Sequence, residues 1–187
     1  YIKEFKIDVH AADFHGLARP NAILDWLQDT ASEGVGCAGL SVSGLWARRL
    51  SWIVSRYHVV IHRYPRFGEK VFVHTWPSGQ TEYFALRDFE AFDAEGGRVL
   101  SGTSSWVVMN IDTKKPIKMA GFIPDAYCLD ERAIEDGFSS LPAIEEDPPG
   151  MDFRVLSADL DFNRHANNVV YVRWALESVP PEILLGS

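Results

Sequence analysis

The most constraining feature of this sequence is that it begins again after 148 residues. At that offset Phe5 falls on Phe153, Asp13 on Asp161, Phe14 on Phe162, Ala18 on Ala166 and Trp26 on Trp174. Lys6/Arg154, Ile7/Val155, Asp29/Glu177 and Thr30/Ser178 are conservative pairs at the same spacing. Self-similarity at a fixed offset is the mark of a duplicated structural unit. Both segments read strand, loop, helix. Between them, residues 137–152 (GFSSLPAIEEDPPGMD) carry prolines and an acidic run, the composition of a linker.

The first copy is the longer one. Residues 1–10 alternate apolar and polar, with Phe5, Ile7 and Val9 on one face, which predicts a half-buried strand. Pro20 suits the first position of a helix, and Ile23, Leu24, Leu27 and Ala31 recur at helical spacing to Glu33, after which glycines are expected to end it. Strand patterns follow at 50–62, 70–76, 82–93 and 98–111, with Gly96 and Gly97 suited to a hairpin turn between the last two. A short helix is expected over 122–136. One long helix beside an antiparallel meander predicts an α+β domain in which the helix packs on a curved sheet. Boundaries follow at 1–136, 137–152 and 153–187, the last holding only a strand and a helix. The chain opens at Tyr1 without methionine and stops at Ser187, so the second copy is expected to be incomplete.

Several function classes are disfavoured. The net charge of −8 argues against nucleic acid, which is bound through clustered cations. The longest uncharged run, Gly34 to Ala47, is 14 residues, whereas a membrane helix needs about 20. Cys37 and Cys128 form neither a disulfide framework nor a zinc motif, and a reducing compartment suits them. Gly34-Val-Gly36-Cys-Ala-Gly39 matches the dinucleotide fingerprint in spelling only, because a helix rather than a strand precedes it. Those glycines read better as a place where the chain passes close to the sheet.

Chemistry concentrates in Asp159-Leu-Asp161-Phe-Asn163-Arg-His165-Ala-Asn167-Asn168. A calcium loop would need Gly at Arg164 and Glu at Val170, so that reading fails. Helix capping accounts for Asn167 or Asn168. It does not account for a carboxylate, a carboxamide and an imidazole spaced two apart. In an extended loop Asp161, Asn163 and His165 would project to one side, at a helix N-terminus whose amides can polarise a carbonyl. The first copy has His15 and Leu17 at the Asn163 and His165 positions, which predicts one active site per pair of copies.

At these residues the sequence resembles the acyl-acyl carrier protein thioesterases of plants and bacteria. The stretch DLDFNRHANNVVYVRWALE (159–177) is similar to their D-x-D-x-N-x-H-x-N-N-x-x-Y-x-x-W signature, and 50–69 and 98–116 resemble their first-domain strands. The resemblance implies tandem hot-dog domains, each a helix wrapped by an antiparallel sheet. It implies a hydrolase that frees fatty acids from acyl carrier protein, with no cofactor or metal and a possible homodimer; the alternatives are a hot-dog acyl-CoA thioesterase and a catalytically silent acyl-binding protein.

It makes Asp161, Asn163 and His165 the catalytic group, with a further glutamate or adjacent cysteine in the second meander. Either Asp161 attacks the thioester, or His165 acts as general base on water while Asp161 orients it. The acyl chain is expected in an apolar tunnel under the first helix, near Ile23, Leu24, Trp26 and Leu27, with Asn168 also at the substrate. Arg48-Arg49, Arg63/Arg66 and Lys114-Lys115/Lys118 are candidate docking cations for an acidic carrier. With no leader at its start, the chain is expected to work in a bacterial cytoplasm rather than a plastid.

Overall fold

Alternation at the start of the chain makes β1 (Ile2–Lys6), which pairs antiparallel with β3 (Lys70–Gln80). This computed structural model describes residues 1–124, 127–143, 150–161, 163–180 and 183. They fall into two units, 1–138 and 139–187.

In the first unit β1, β3, β4 (Ala85–Asp93), β5 (Arg98–Asn110) and β2 (Leu50–Ile61) form one antiparallel sheet of five strands, in the order β1-β3-β4-β5-β2. Asp93 closes the β4–β5 hairpin: its Oδ1 accepts the Gly97 N–H at 2.6 Å, and Gly96 takes φ 84°. Strand β3 does not stop at Pro77. A bulge between Pro77 and Gly79 carries it on to Gln80.

Helix α1 (Pro20–Gly36) lies on one face of the sheet, with Ile23, Trp26, Leu27 and Ala31 buried against Val71, Val73, Phe89, Ala91 and Leu100. It runs through Gly34 rather than ending before it. A Cβ there would meet Tyr1 Cβ at 3.2 Å, Arg87 Nη1 at 3.3 Å and Thr75 Cγ2 at 3.4 Å, so glycine lets the helix settle on the sheet. A short helix unforeseen in the sequence, α2 (Val42–Ala47), follows; Ser41 caps it by accepting the Gly44 N–H.

No α-helix forms among the described residues of 122–136; residues 125 and 126 lie outside them. Residues 127–138 instead cross the other face of the sheet as a strap. Arg132 Nε donates to the fully buried Asp88 Oδ2 at 3.0 Å, and the Ala133 N–H donates to the same oxygen at 2.6 Å. Thr103 and Ser78 hydroxyls occupy Asp88 Oδ1 at 2.6 and 2.8 Å. Further along, Arg56 Nη1 donates to the Phe138 carbonyl at 2.7 Å.

The second unit holds a 3-10 turn (Ser157–Asp159) and α3 (Asn168–Glu177). The strand expected from residue 153 does not form: 150–156 carry no ladder. A strand needs a neighbour, and β1 has its neighbour in β3; no equivalent partner lies among the described residues of this unit. Residues 144–149, within the expected linker, lie outside the described set.

Candidate active site

The duplication is visible in atomic detail. Phe5 stacks on Trp26 at 5.6 Å and Phe153 on Trp174 at 5.7 Å. Ala12 bridges to Ala18 and Leu160 to Ala166. Inside each bridge the chain makes the same turn. The Asp13 N–H donates to the Leu17 carbonyl at 2.7 Å, and the Asp161 N–H donates to the His165 carbonyl at 2.8 Å. Phe162 lies outside the described residues.

The turn is closed by its own carboxylate. Asp161 Oδ1 accepts the backbone N–H of Asn163 at 2.8 Å and of His165 at 3.1 Å. Asp13 Oδ1 accepts those of His15 and Leu17, each at 2.9 Å. This corrects the picture of an extended loop: Asp161 bonds back to Asn163 and to His165, so the two ends of the turn meet. Arg164 takes φ 62° there, a left-handed conformation costly for any residue but glycine, and its counterpart in the first copy is Gly16 at φ 73°.

The turn thus ties Asp161 to the backbones of Asn163 and His165. His165 is exposed, Asn163 half-buried, and among the described residues no hydrogen bond joins the Asp161 carboxylate to the His165 ring. Asn167 caps α3 through Val169 N–H at 3.1 Å, and Asn168 is its half-buried first residue. An anchor the sequence reading passed over lies just upstream. Asp159 is 4% exposed; its Oδ1 takes Arg173 Nη2 at 2.6 Å and its Oδ2 the Leu156 N–H at 2.8 Å. The Leu156 amide, then the Arg173 guanidinium, hold this carboxyl below its usual range. The signal was present: at the 148 offset Ala11 becomes Asp159 and Asp25 becomes Arg173, two charges appearing together.

In the first unit an apolar cleft, partly open to solvent, lies beneath the C-terminal half of α1. Its walls include Ala31 and Val35 of α1, Trp52, Ala85, Trp106 and Ile123. Ile23, Trp26 and Leu27 are instead packed in the core one to two turns earlier, with half-buried Leu24 at the edge of that core; none of the four lines this cleft. Of the expected docking cations, Arg49 pairs with Asp112, Lys118 with Glu82, and Arg63 with Glu69 and Asp93. Arg48 lies over the Phe122 ring at 5.7 Å. Arg66, Lys114 and Lys115 are exposed and form no ion pair among the described residues.

Two family models match the chain: the acyl-ACP thioesterase N-terminal domain over residues 1–127 and the C-terminal domain over 144–186. The chain belongs to the acyl-ACP thioesterase family. A chloroplastic acyl-[acyl-carrier-protein] hydrolase of Cuphea viscosissima is 37% identical over 183 residues, covering 87% of this chain and 43% of that protein. A chloroplastic oleoyl-acyl carrier protein thioesterase of Arabidopsis thaliana is 33% identical over 202 residues, covering 98% and 55%. The chain thus spans about half the length of these curated relatives or less.

Among solved structures, an acyl-ACP thioesterase of Bacteroides thetaiotaomicron matches with TM-score 0.88 at 24% identity, covering 100% of this chain and 76% of that one. The 12:0-ACP thioesterase of Umbellularia californica matches with TM-score 0.79 at 25% identity, covering 99% and 72%. The hot-dog fold, in the tandem arrangement of this family, is therefore that of the chain.

Proposed function

We propose that this chain supplies the acyl-binding domain and the Asp–Asn–His turn of a hydrolase that frees fatty acid from acyl-acyl carrier protein, ending chain elongation. The observation that carries this reading is the Asp161–His165 turn. It repeats the geometry around Asp13, yet bears Asn163 and His165 where the other copy bears His15 and Leu17. The assignment places the first hot-dog domain at 1–136, the linker at 137–152 and the start of the second domain at 153–187.

In the mechanism that this geometry favours, His165 removes a proton from the water that attacks the thioester carbon. The carboxamide of Asn163 and the N–H groups opening α3 stabilise the oxyanion. The tetrahedral intermediate then expels the thiol, and His165 returns the proton to sulfur. Asp161 holds the turn: its Oδ1 is already engaged by two amides, as is that of Asp13, whose turn carries no histidine at the His165 position. Nucleophilic attack by Asp161 is the competing route. Oxygen-18 from labelled water recovered in Asp161 after a single turnover would establish that route instead.

Carrier protein is acidic, and Arg66, Lys114 and Lys115 are the candidate cations left for it; Arg49, Arg63 and Lys118 are matched within the chain. The curated relatives named above are chloroplastic, so a bacterial setting is narrower than they support. We place the protein in a reducing compartment where acyl chains are built on carrier protein, bacterial cytoplasm or plastid stroma, which suits a chain whose two cysteines, Cys37 and Cys128, lie 91 positions apart in sequence. Hydrolysis of matched acyl-carrier and acyl-CoA substrates by the full-length protein tests the assignment. A higher kcat/KM for the carrier-bound chain is expected, and a preference for the CoA ester would transfer the reading to acyl-CoA hydrolysis.

A further inference from the structure

Under α1 the sheet carries two separate hydrophobic clusters. One is centred on Phe89, Val73 and Leu100, the other on Val108, Met119 and Leu45, the second adjoining the cleft. Between them runs a polar row. Tyr57 on β2 stands opposite Ser104 on β5, which stands opposite Arg87 on β4. Arg87 is two residues from Phe89 on the same strand and so shares its face.

Two groups in this row are poorly matched. Arg87 is 8% exposed and lines the cleft, yet the one hydrogen bond of its guanidinium among the described residues runs from Nη1 to Thr75 Oγ1 at 3.2 Å. A guanidinium has five N–H donors. The Tyr57 hydroxyl is buried with no hydrogen-bond partner among the described residues; Tyr57 sits behind the cleft lining, its ring packed against Phe89 and against Trp106 of the cleft wall. Burial pushes Arg87 down to about 10 and pushes the Tyr57 phenol up.

We propose that Arg87 and the Tyr57 hydroxyl form a polar stop at the end of the acyl cleft and so set the longest chain accepted. This rests on the thioesterase reading above, with the acyl tail in this cleft. Methylenes gain by covering Trp106, Val35 and Ala85, but a methyl end pressed against the guanidinium would strip its solvent and return no hydrogen bond. The chain therefore stops where the apolar wall gives way to the row.

The test uses full-length protein and carrier-bound saturated chains of increasing length. Arg87→Met keeps the bulk and removes the charge. For a chain two carbons past the parent's limit, it is expected to raise kcat/KM relative to the preferred chain by about tenfold, the value of two more buried methylenes. Tyr57→Phe, which keeps the ring, should shift the profile the same way by less, and it serves if Arg87→Met does not fold. The parent should hydrolyse an ω-hydroxyacyl chain of that length faster than the plain one, a preference lost in Arg87→Met. Folded, active variants with the parent's length profile would overturn the polar stop alone. A parent inactive on every acyl-carrier substrate would overturn the thioesterase reading and the stop with it.

Discussion

Asp13 and Asp161, 148 residues apart, do the same structural work. Each closes its turn by accepting the backbone N–H groups two and four positions ahead, at 2.8–3.1 Å. The duplication kept the carboxylate in both copies and changed what the turn displays. In the first copy it presents His15 and Leu17, in the second Asn163 and His165. A carboxylate retained where the histidine is absent is a clasp first.

A clasp needs an acceptor oxygen, not a charge. Asp161→Asn keeps an oxygen for both amides and should retain hydrolysis within about tenfold, whereas Asp161→Ala frees the turn and should lose about 100-fold, as displaced catalytic groups do. Steady-state kcat/KM on an acyl-carrier substrate reads the difference. Equal, near-complete loss in both variants would instead assign chemistry to the carboxylate.

On α1, Asp25 is exposed at its surface, yet desolvation by the side chains around it, followed by repulsion from Asp29, raises its carboxyl above the ordinary value. The folded state therefore holds the proton more tightly than the unfolded one. This aspartate contributes nothing adverse below the unfolded pKa, near 3.9, and costs stability as pH rises through the folded pKa. Asp25→Asn should be more stable than the parent at pH 7, with the gain shrinking to nothing below about pH 4. Thermal unfolding across that range checks it; a gain independent of pH contradicts it.

The strap over the far face hangs on Asp88 and Arg132. Arg132→Ala leaves the fully buried Asp88 with its amide and hydroxyl donors but no counter-charge, and should cost about 3 kcal/mol in urea unfolding. Adding Asp88→Asn removes the stranded charge and should recover part of that loss. Two losses that simply add would show that the pair is not coupled. Amide exchange at 131–138 should quicken in the single variant.

Much of the fold was legible because periodicity survives without context. The alternation in β1, the helical spacing of Ile23, Leu27 and Ala31, and the Gly96-Gly97 turn all report local geometry. The 148-residue offset already aligned Phe5 with Phe153, Trp26 with Trp174 and Asp13 with Asp161, the residues that form the two stacks and the two turns, although neither contact was read from it. What stayed hidden depends on contacts between distant residues. Gly34 reads as a helix stop until Arg87 and Thr75 are seen beneath it. Residues 127–136 have helical composition but are drawn across the sheet, where Arg132 and Ala133 bond Asp88 of β4. The cleft lies one to two turns beyond the four residues expected to line it, because Ile23, Trp26 and Leu27 meet the sheet where it is filled by Phe89 and Leu100. The extended Asp–Asn–His array failed for a smaller reason: nothing in its two-residue spacing announces that Asp161 will bond its own loop.

The central claim is that His165 performs the proton transfer of thioester hydrolysis. The most direct test measures hydrolysis of an acyl-carrier substrate by full-length protein with and without His165→Ala, with thermal unfolding of both recorded. The account predicts a fall in kcat of about 10²–10⁴-fold at unchanged stability, the range for a positioned general base. Hydrolysis by His165→Ala at the parent's rate would contradict it.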